Sequence, residues 1–536
     1  MSIPRLVQLL STAAIGLLLL FGDQATRRSA LADEPQGVPS SGAEKPAKSD
    51  GSASPPELSP QQARERAAED LELLELFVDT LDQVERNYVK NVTRRQLMEA
   101  AIRGMLSELD PYSNFIPPKQ LDRFKVEVEN EFGGVGIQVS LENGQLRVIS
   151  PLVGTPAYRA GVMSGDVILE IDGQSTKGIT LDEAVQRMKG LLGTKVALKL
   201  LRPGASEPET VELERENIRV ETVLGESRNP DDSWHWLLDE QQQIACVRVT
   251  GFGRHTAEDL RKVLQQLADA KVRGLILDLR FNPGGLLSSA IEVSDMFISQ
   301  GRIVSTEGRN IESRVWDATE QGTFEDVPMA VLVNRYSASA SEIVAACLQD
   351  HARAVVIGER TWGKGSVQNV VELERGASAL KLTTAGYHRP NGKNIHRFPD
   401  AKDSDDWGVI PNSGFEVKLS TTEMTQLIAQ QRQKDIARNH NGKSDPDAAE
   451  NHAFVDPQLQ KALAYLSEKL QTEKPPEEPA QEPDRGAAKN AAENAPAQTA
   501  KPSGKTPADK PAEKTPHEPP AGDAPQNKAA SEAQTP

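Results

Sequence analysis

Residues 329–368 constrain the fold of this chain more strongly than any other stretch of its sequence. An apolar run, Met329 to Val333, ends at a turn of small residues, and apolar residues then recur at helical spacing from about Ala340 to His351. A second apolar run, Ala354 to Gly358, leads into a glycine-rich loop that carries Lys364. Strand, turn, helix, strand and loop in this order predict an α/β unit, in which helices pack on a sheet.

The turn contains three serines, Ser337, Ser339 and Ser341, at the start of the predicted helix. Backbone N–H groups at a helix N-terminus can face an anion, and a lysine on the next loop could reach the turn. This is the arrangement of a Ser-Lys nucleophilic site. A lysine acts as a base only if its pKa falls from about 10.4, and we expect neighbouring apolar residues such as Trp362 to bury Lys364. The residues alone do not choose among the three serines.

The composition divides the 536 residues into folded and unfolded parts. Residues 33–66 and 472–536 are poor in apolar residues and rich in Pro, Ala, Lys and Glu, so they cannot offset the entropy of the chain by burial. We expect a disordered linker and a disordered tail there, with two or three domains between them. The net charge of −17 argues against nucleic acid as a partner, because phosphate binding needs clustered Lys and Arg.

The two cysteines, Cys246 and Cys347, lie far apart in apolar runs. Such cysteines are typical of buried free thiols rather than of a disulfide or a metal site. We therefore expect no metal and no other cofactor.

The first 32 residues predict export from the cytoplasm. Arg5 precedes an apolar run from Leu6 to Phe21, and Ala30-Leu31-Ala32 offers a small-x-small cleavage site. An uncleaved membrane anchor is the alternative, since the apolar run lies far from that site. The expected location is the periplasm or cell envelope, with the protein free or tethered.

Two helical segments flank the middle of the chain. Residues 67–124 predict helices at about Leu71 to Tyr88 and Thr93 to Leu109, stopped by the segment Asp110-Pro111-Tyr112-Ser113. Residues 421–471 predict a helical C-terminal extension. Both segments are candidate assembly surfaces, for a homodimer or an adaptor protein.

Residues 125–206 change to short β-type runs around one amphipathic helix, about Leu181 to Lys189. A glycine-rich loop, Gly133-Gly134-Val135-Gly136-Ile137, precedes a strand, and the sequence AGVMSGDVILEIDG follows at residues 160–173. This combination resembles a PDZ domain. The resemblance implies that backbone N–H groups of the loop bind a peptide's C-terminal carboxylate, while the next strand pairs with the peptide.

Residues 207–420 alternate strands and helices. We expect a strand from Val211 to Ile218, a loop from Asn229 to Trp236, a strand at Ile244 to Val249 and then a helix that Thr256 caps. Three motifs stand out: DLRFNPGG at 278–285, NRYSASASE at 334–342 and GERTWGKGSVQ at 358–368. With the preceding helical and PDZ segments they resemble the C-terminal processing (tail-specific) peptidases over residues 70–420. The resemblance implies a crotonase-like α/β catalytic domain, and hence an α+β multidomain protein.

The resemblance also assigns roles. Ser339 is the implied nucleophile, Lys364 the general base and Gln368 the residue that orients the lysine. A neutral glutamine suits that position, because a carboxylate would stabilise the ammonium form of the lysine.

The oxyanion of the tetrahedral intermediate needs hydrogen-bond donors. The Ala340 N–H lies at the predicted helix start, and the Gly284-Gly285 turn follows a strand end, where glycine allows close approach to substrate. We favour Gly285 as the second donor, although the sequence does not separate it from Gly284.

Two rival sites are unfavourable. Gly358 to Lys364 matches the start of a P-loop, but Gly365 stands where that motif needs Ser or Thr. His351 lies at the far end of the helix that Ser339 begins, roughly 18 Å away at about 1.5 Å per residue, so it is too distant for a Ser-His pair.

The sequence thus predicts an exported serine endopeptidase that recognises exposed, apolar C-terminal tails of proteins. A PDZ-based binding module without activity is the alternative, and the intact set Ser339, Lys364 and Gln368 argues against it. Arg202, at the end of the last PDZ strand, is a candidate for coupling the two domains.

Overall fold

The computed structural model describes residues 59–121, 124, 131–320, 324, 327–437 and 454–472. The predicted export segment, most of the predicted linker and the predicted tail after residue 472 lie outside the described residues. None of the helices in the described ranges combines the length and apolar character needed to cross a membrane.

Two helices open the described chain, α1 (Pro60–Asn87) and α2 (Arg94–Ser107). Helix α1 starts earlier than the predicted boundary at residue 67, because Ser59 and Gln62 form a capping box and Pro60 occupies the first helical position. A short strand, β1 (Asn114–Ile116), follows them.

A small β domain comes next. Its helices are α3 (Pro156–Arg159) and α4 (Leu181–Met188), and its strands are β2 (Glu131–Gly134), β3 (Ile137–Glu142), β4 (Gln145–Pro151), β5 (Val167–Ile171), β6 (Gln174–Ser175), β7 (Lys195–Leu201), β8 (Glu209–Glu214) and β9 (Glu216–Arg219). The main sheet has the order β3-β4-β5-β7-β8. Strand β3 therefore lies at an edge, where a peptide can add as a further strand.

The remaining described residues build two large sheets, one two-stranded hairpin and five α-helices. The strands are β10 (Val223–Leu224), β11 (Ser227–Arg228), β12 (Trp234–His235), β13 (Leu237–Asp239), β14 (Ile244–Val249), β15 (Gly274–Asp278), β16 (Arg302–Gly308), β17 (Ile311–Asp317), β18 (Met329–Val333), β19 (Val355–Gly358), β20 (Ser366–Leu373) and β21 (Ser378–His388). The helices are α5 (Thr256–Asp269), α6 (Leu287–Asp295), α7 (Ala340–Asp350), α8 (Thr421–Asp435) and α9 (Pro457–Thr472).

The central sheet has the order β10-β14-β15-β18-β19, and β14, β15, β18 and β19 run parallel. Its strands are buried on both faces, as parallel strands usually are. One face packs on α5, α6 and α7. The other face packs on Ala462, Leu466 and Leu470 of α9. Helix α9 is therefore a layer of this fold, and Cys246 and Cys347 are buried free thiols, as predicted.

The second sheet joins distant parts of the chain. Its order is β1-β21-β16-β17, and β20 pairs with β21. The pairing of β1 with Ala379, Leu380 and Lys381 of β21 attaches the N-terminal segment to the catalytic half.

Three local predictions were wrong. The segment from Asn229 to Trp236, expected to be a loop, carries strand β12 of a short hairpin. Thr256 is the first helical residue rather than the cap, and its hydroxyl accepts the Gly253 N–H and contacts Thr222. The single strand expected from Val211 to Ile218 is interrupted and forms β8 and β9.

A buried ion network holds α9 against the sheet. Arg280 donates hydrogen bonds to Asp278, to Asp456 (2.7 Å) and to Gln458 (3.0 Å). All of these residues are buried. The network ties the loop after β15 to the residues that begin α9.

Replacing Arg280 tests this network. Arg280→Met leaves two buried carboxylates without their cation, which should lower the free energy of unfolding by about 3–5 kcal/mol. Urea denaturation measures the loss. Lys195→Met is the matched control, because its ion pair with Glu212 is exposed, and it should change stability little. Equal effects of the two substitutions would contradict the prediction.

Candidate active site

A cavity with a volume of about 450 Å³ lies at the carboxyl ends of the parallel strands. It is lined by residues that follow β14 (Thr250 to Phe252), β15 (Pro283 to Leu287) and β18 (Ser339, Ala340, Ile343). Lys364, Ser366, Val367 and Gln368, which follow β19, complete this wall. Loops at this edge of a parallel sheet commonly form ligand sites. The cavity therefore brings Ser339, Lys364 and Gln368 together.

Ser339 has a strained backbone, with φ +57° and ψ −115°. A non-glycine residue in such a conformation costs about 1–3 kcal/mol and is common at functional sites. The Ser339 N–H donates to the Glu342 carboxylate at 2.8 Å. The turn thereby places Ser339, half-buried, at the wall of the cavity.

The other two serines of the turn are structural. Both are 0 % exposed. The Ser337 hydroxyl donates to the Leu279 carbonyl (2.8 Å), and the Ser341 hydroxyl donates to the Asn282 carbonyl (2.9 Å). These bonds attach the turn to the loop after β15, so the structure separates three serines that the sequence left equivalent.

Lys364 lies in an environment that favours its neutral form. Burial lowers its pKa to about 8, with the positive charge of Lys381 acting in the same direction and the carboxylates of Glu342 and Asp110 acting against it. The Lys364 Nζ lies 5.4 Å from the centre of the Tyr112 ring. Trp362, expected to bury the lysine, is instead 49 % exposed, and its indole N–H donates to the Tyr112 hydroxyl (3.2 Å).

Gln368 lines the same cavity on β20. Its amide nitrogen donates to the hydroxyls of Ser366 (2.9 Å) and Thr383 (3.2 Å). Both bonds use the nitrogen, so the amide oxygen is left to accept a hydrogen bond from another group.

The two glycines after β15 differ in their hydrogen bonds. The Gly284 N–H donates to Asn282 Oδ1 at 2.9 Å, whereas the Gly285 N–H has no acceptor among the described residues. Gly285 also has φ +148°, and a Cβ there would lie 2.2 Å from the Phe252 carbonyl oxygen. The Ala340 N–H at the first position of α7 is likewise without an acceptor in the described ranges. Two backbone donors are thus available at the cavity wall.

Sequence reasoning missed the contribution of residues 110–113, which it treated only as a helix stop. The Asp110 carboxylate accepts the backbone N–H groups of Tyr112 and Ser113 and contacts Thr383. The Ser113 hydroxyl in turn accepts the Thr383 N–H. The DPYS pattern indicated this tight turn but not its partner, since the partner strand lies some 270 residues away in the chain.

Tyr387 was also missed. Its hydroxyl is within hydrogen-bonding distance of the carbonyl oxygens of both Ser339 (3.1 Å) and Lys364. The residue is buried on β21. No local motif marks it, because its role arises only when β21 crosses the serine turn.

The predicted PDZ loop lines a second cleft. Gly134, Val135, Gly136 and Ile137 form it with Phe132 and with Val185, Met188 and Lys189 at the end of α4. The Val135 and Gly136 N–H groups have no acceptor in the described part of the chain. Gly136 has φ +76°, and a Cβ there would lie 2.3 Å from the Thr155 side chain. Gly133, at the other end of the predicted loop, pairs with Asn217 of β9 and abuts Gly190.

The rival features have structural roles. The His351 Nε2 lies 2.8 Å from the Arg302 carbonyl oxygen at the far end of α7. The N–H groups of Gly363 and Lys364, which a P-loop would direct at phosphate, donate to Glu342. Arg202 contacts Glu209 and the Gly161 carbonyl within the β domain, so its coupling role stays a prediction. The described residues contain no cluster of metal-ligating side chains.

Family models match three parts of the chain. Residues 243–403 match peptidase family S41, residues 125–201 match the PDZ domain, and residues 43–119 match the N-terminal domain of the activating protease CtpB. The fold and the matches first define a class, a multidomain α+β protein that joins a PDZ domain to a serine peptidase domain.

Whole-chain comparisons narrow the class. The chain is 38 % identical over 367 residues to a carboxy-terminal-processing protease of Bartonella bacilliformis, covering 67 % of this chain and 81 % of that protein. It is 35 % identical to a carboxyl-terminal-processing protease of Synechocystis, covering 68 % and 84 %. Among solved structures, the photosystem II D1 C-terminal processing protease is 29 % identical, with coverage of 67 % and 96 % and a TM-score of 0.36. The chain therefore belongs to the carboxy-terminal processing proteases of peptidase family S41.

The three serines of the turn should differ in their effect on stability. Ser337→Ala and Ser341→Ala each remove a buried, hydrogen-bonded hydroxyl and should lower the free energy of unfolding by about 1–3 kcal/mol. Ser339→Ala changes a half-buried side chain and should stay within about 0.5 kcal/mol of the wild type. Urea denaturation of the three variants gives the comparison. A loss for Ser339→Ala as large as for its neighbours would contradict the assignment.

Proposed function

We propose that this protein is an exported endopeptidase that binds the C-terminal tail of a protein substrate through its PDZ domain and cleaves the chain at Ser339. The observation that carries the proposal is the single cavity lined by Ser339, Lys364 and Gln368. The substrates are proteins with exposed, apolar C-terminal tails, and the reaction uses no cofactor.

Catalysis is acyl transfer in two steps. Lys364, in its neutral form, takes the proton of the Ser339 hydroxyl as the oxygen attacks the scissile carbonyl. The resulting ammonium gives a proton to the leaving amine. Water then attacks the acyl-enzyme while Lys364 takes its proton, and Lys364 returns that proton to the Ser339 oxygen as the product leaves. The lowered pKa of Lys364 supports this role.

Gln368 orients the lysine in this proposal. Its amide nitrogen is engaged by Ser366 and Thr383, which leaves the oxygen to accept from the lysine. A neutral amide holds the amine without stabilising its charged form.

The oxyanion hole is formed by the N–H groups of Gly285 and Ala340. Support comes from their lack of other acceptors in the described chain and from the contrast with Gly284, whose N–H is occupied by Asn282. Donors fixed before the reaction stabilise the developing charge without reorganisation.

The PDZ loop from Gly133 to Ile137 binds the substrate's terminal carboxylate, and β3 pairs with the tail. The free N–H groups of Val135 and Gly136 and the edge position of β3 support this. Val185 and Met188 of α4 give the cleft an apolar wall, which suits an apolar terminal side chain.

Three further features belong to the proposal. The parallel sheet with helices on both faces is consistent with a crotonase-like catalytic domain. Residues 1–32 carry the export signal, cleaved or retained as a tether, so the protein acts in the periplasm or cell envelope. The exposed leucines of α1, which include Leu73, Leu74 and Leu76, suit a homodimer or an adaptor contact.

The pH dependence tests the base. Because only neutral Lys364 can accept a proton, kcat/KM should rise with pH through a midpoint of about 8. The measurement is the pH profile of kcat/KM on a fluorogenic peptide. Lys364→Arg keeps the charge at every pH and should be inactive throughout. A profile that is flat around pH 8, or turnover by Lys364→Arg, would exclude this base.

Tail recognition is tested with one protein substrate carrying either a free or an amidated C-terminus. The free acid should be cleaved faster, since only it offers a carboxylate to the loop. Gly136→Ala should remove this preference, because its Cβ clashes with Thr155. Gly144→Ala is the matched control: it has the same φ of +76° but no atom within 4 Å of the added Cβ.

Three outcomes separate the parts of this proposal. Equal cleavage of the two substrates by the wild type rules out recognition of the carboxylate. A preference that survives Gly136→Ala, or that Gly144→Ala also abolishes, removes the assignment to this loop. Turnover by Ser339→Ala disproves the nucleophile.

A further inference from the structure

Glu342, at the third position of α7, is a buried carboxylate for which no catalytic role has been assigned above. It is 0 % exposed, and four groups donate to it. The Thr361 hydroxyl (2.5 Å) and the Gly363 N–H (2.7 Å) donate to Oε1. The N–H groups of Ser339 and Lys364, both at 2.8 Å, donate to Oε2.

The four contacts favour an ionised carboxylate. An ionised carboxylate only accepts, whereas a protonated acid or an amide would direct at least one hydrogen at these donors. Thr361 is itself fixed as a donor toward Glu342, because its oxygen accepts the Val409 N–H at 2.7 Å. Burial raises the pKa of Glu342, and the donated hydrogen bonds act in the opposite direction.

The carboxylate joins the two halves of the site. One oxygen receives both the N–H of the serine residue and the N–H of the lysine residue. The Tyr387 hydroxyl contacts the carbonyl oxygens of the same two residues. The backbones of Ser339 and Lys364 are therefore each held at both the N–H and the C=O group, although 25 positions separate them in the chain.

We propose that Glu342 is the positioning residue that holds the strained Ser339 turn and the Lys364 loop in one reactive arrangement. The inference rests on the proposed Ser-Lys mechanism and adds a group that never touches substrate. It also explains why a carboxylate is tolerated near the base. The Glu342 charge favours the ammonium form of Lys364, but its two oxygens are already taken up by four donors, so it positions the lysine backbone instead of pairing with the amine.

The charges around this unit set the expected pH behaviour. Lys364 faces Glu342 and Asp110, which raise its pKa, and Lys381, which lowers it. Tyr387 stays neutral, because burial raises its pKa well above the ordinary value. Removing the charge of Glu342 should therefore move the midpoint of the kcat/KM profile to lower pH.

The experiment compares two full-length variants of Glu342 with the wild type. Glu342→Gln removes the charge and two acceptor positions, so kcat should fall about 10²-fold, as for a misplaced catalytic group, and the midpoint should move below that of the wild type. Glu342→Asp keeps the charge but shortens the side chain, so kcat should fall while the midpoint stays. KM should change little in both variants, since Glu342 does not lie in the proposed tail-binding cleft.

Glu359→Gln is the matched control. Glu359 is also buried (3 % exposed) and lies on the loop that carries Lys364, but it pairs with Arg335 and the Leu419 N–H. This variant should lose stability while keeping both kcat and the midpoint. Thr361→Val, which removes a single donor to Glu342, covers the case in which Glu342→Gln does not fold; it should give a smaller fall in kcat at unchanged KM.

Each result decides the question. Wild-type kcat and midpoint in Glu342→Gln, or in Thr361→Val if that is the variant available, would overturn the proposal. If kcat falls in proportion to the lost stability in both Glu342→Gln and Glu359→Gln, and the midpoint does not shift, then Glu342 has only a structural role. Turnover by Ser339→Ala would instead disprove the proposed function itself, a separate outcome.

Discussion

The burial of a parallel sheet on both faces is the constraint on which the rest of this structure depends. Strands β14, β15, β18 and β19 have apolar side chains on each side, so the chain must supply two helical layers. Helices α5, α6 and α7, which lie between these strands in the sequence, form one layer. The other layer comes from α9, more than 90 residues after the last parallel strand, and Arg280 fixes it through Asp456 and Gln458. The same arginine precedes the Gly284-Gly285 turn, so the anchor of the second layer lies close in sequence to the proposed oxyanion donor Gly285.

The parts of the fold that could be predicted from the sequence were those in which the signal is local. The strand, serine turn, helix and lysine loop from Met329 to Gln368 are contiguous, and the structure has strands and a helix close to the predicted bounds. The β domain was predictable for the same reason, since its glycine-rich loop and its strands follow one another closely in the sequence. Strand β17 was missed because it is largely exposed and polar, without the alternation that marks a half-buried strand.

Contacts that depend on the meeting of distant elements could not be predicted. Tyr112 and Asp110 reach the lysine only because β1 pairs with β21, and Tyr387 contacts the serine turn only because β21 crosses it. The choice among Ser337, Ser339 and Ser341 also depended on contacts with distant elements. Their roles differ through bonds to Leu279 and Asn282, residues about 60 positions earlier, whereas in the sequence the three serines are interchangeable.

The connection between the two clefts is short and built from strands. Strand β2 ends at Gly134 in the predicted PDZ loop and pairs with β9, Phe132 opposite Ile218 and Gly134 opposite Glu216. Strand β9 ends at Arg219, and the next residues, Val220 and Thr222, line the peptidase cavity. Glu131 at the start of β2 also contacts His255 beside α5, and Arg219 pairs with Asp259 on that helix. A displacement of the loop by a bound tail would therefore act on the cavity wall through one two-stranded ribbon anchored to α5. This covalent and hydrogen-bonded continuity gives the two domains a common mechanical element, which two domains joined by a flexible linker would lack.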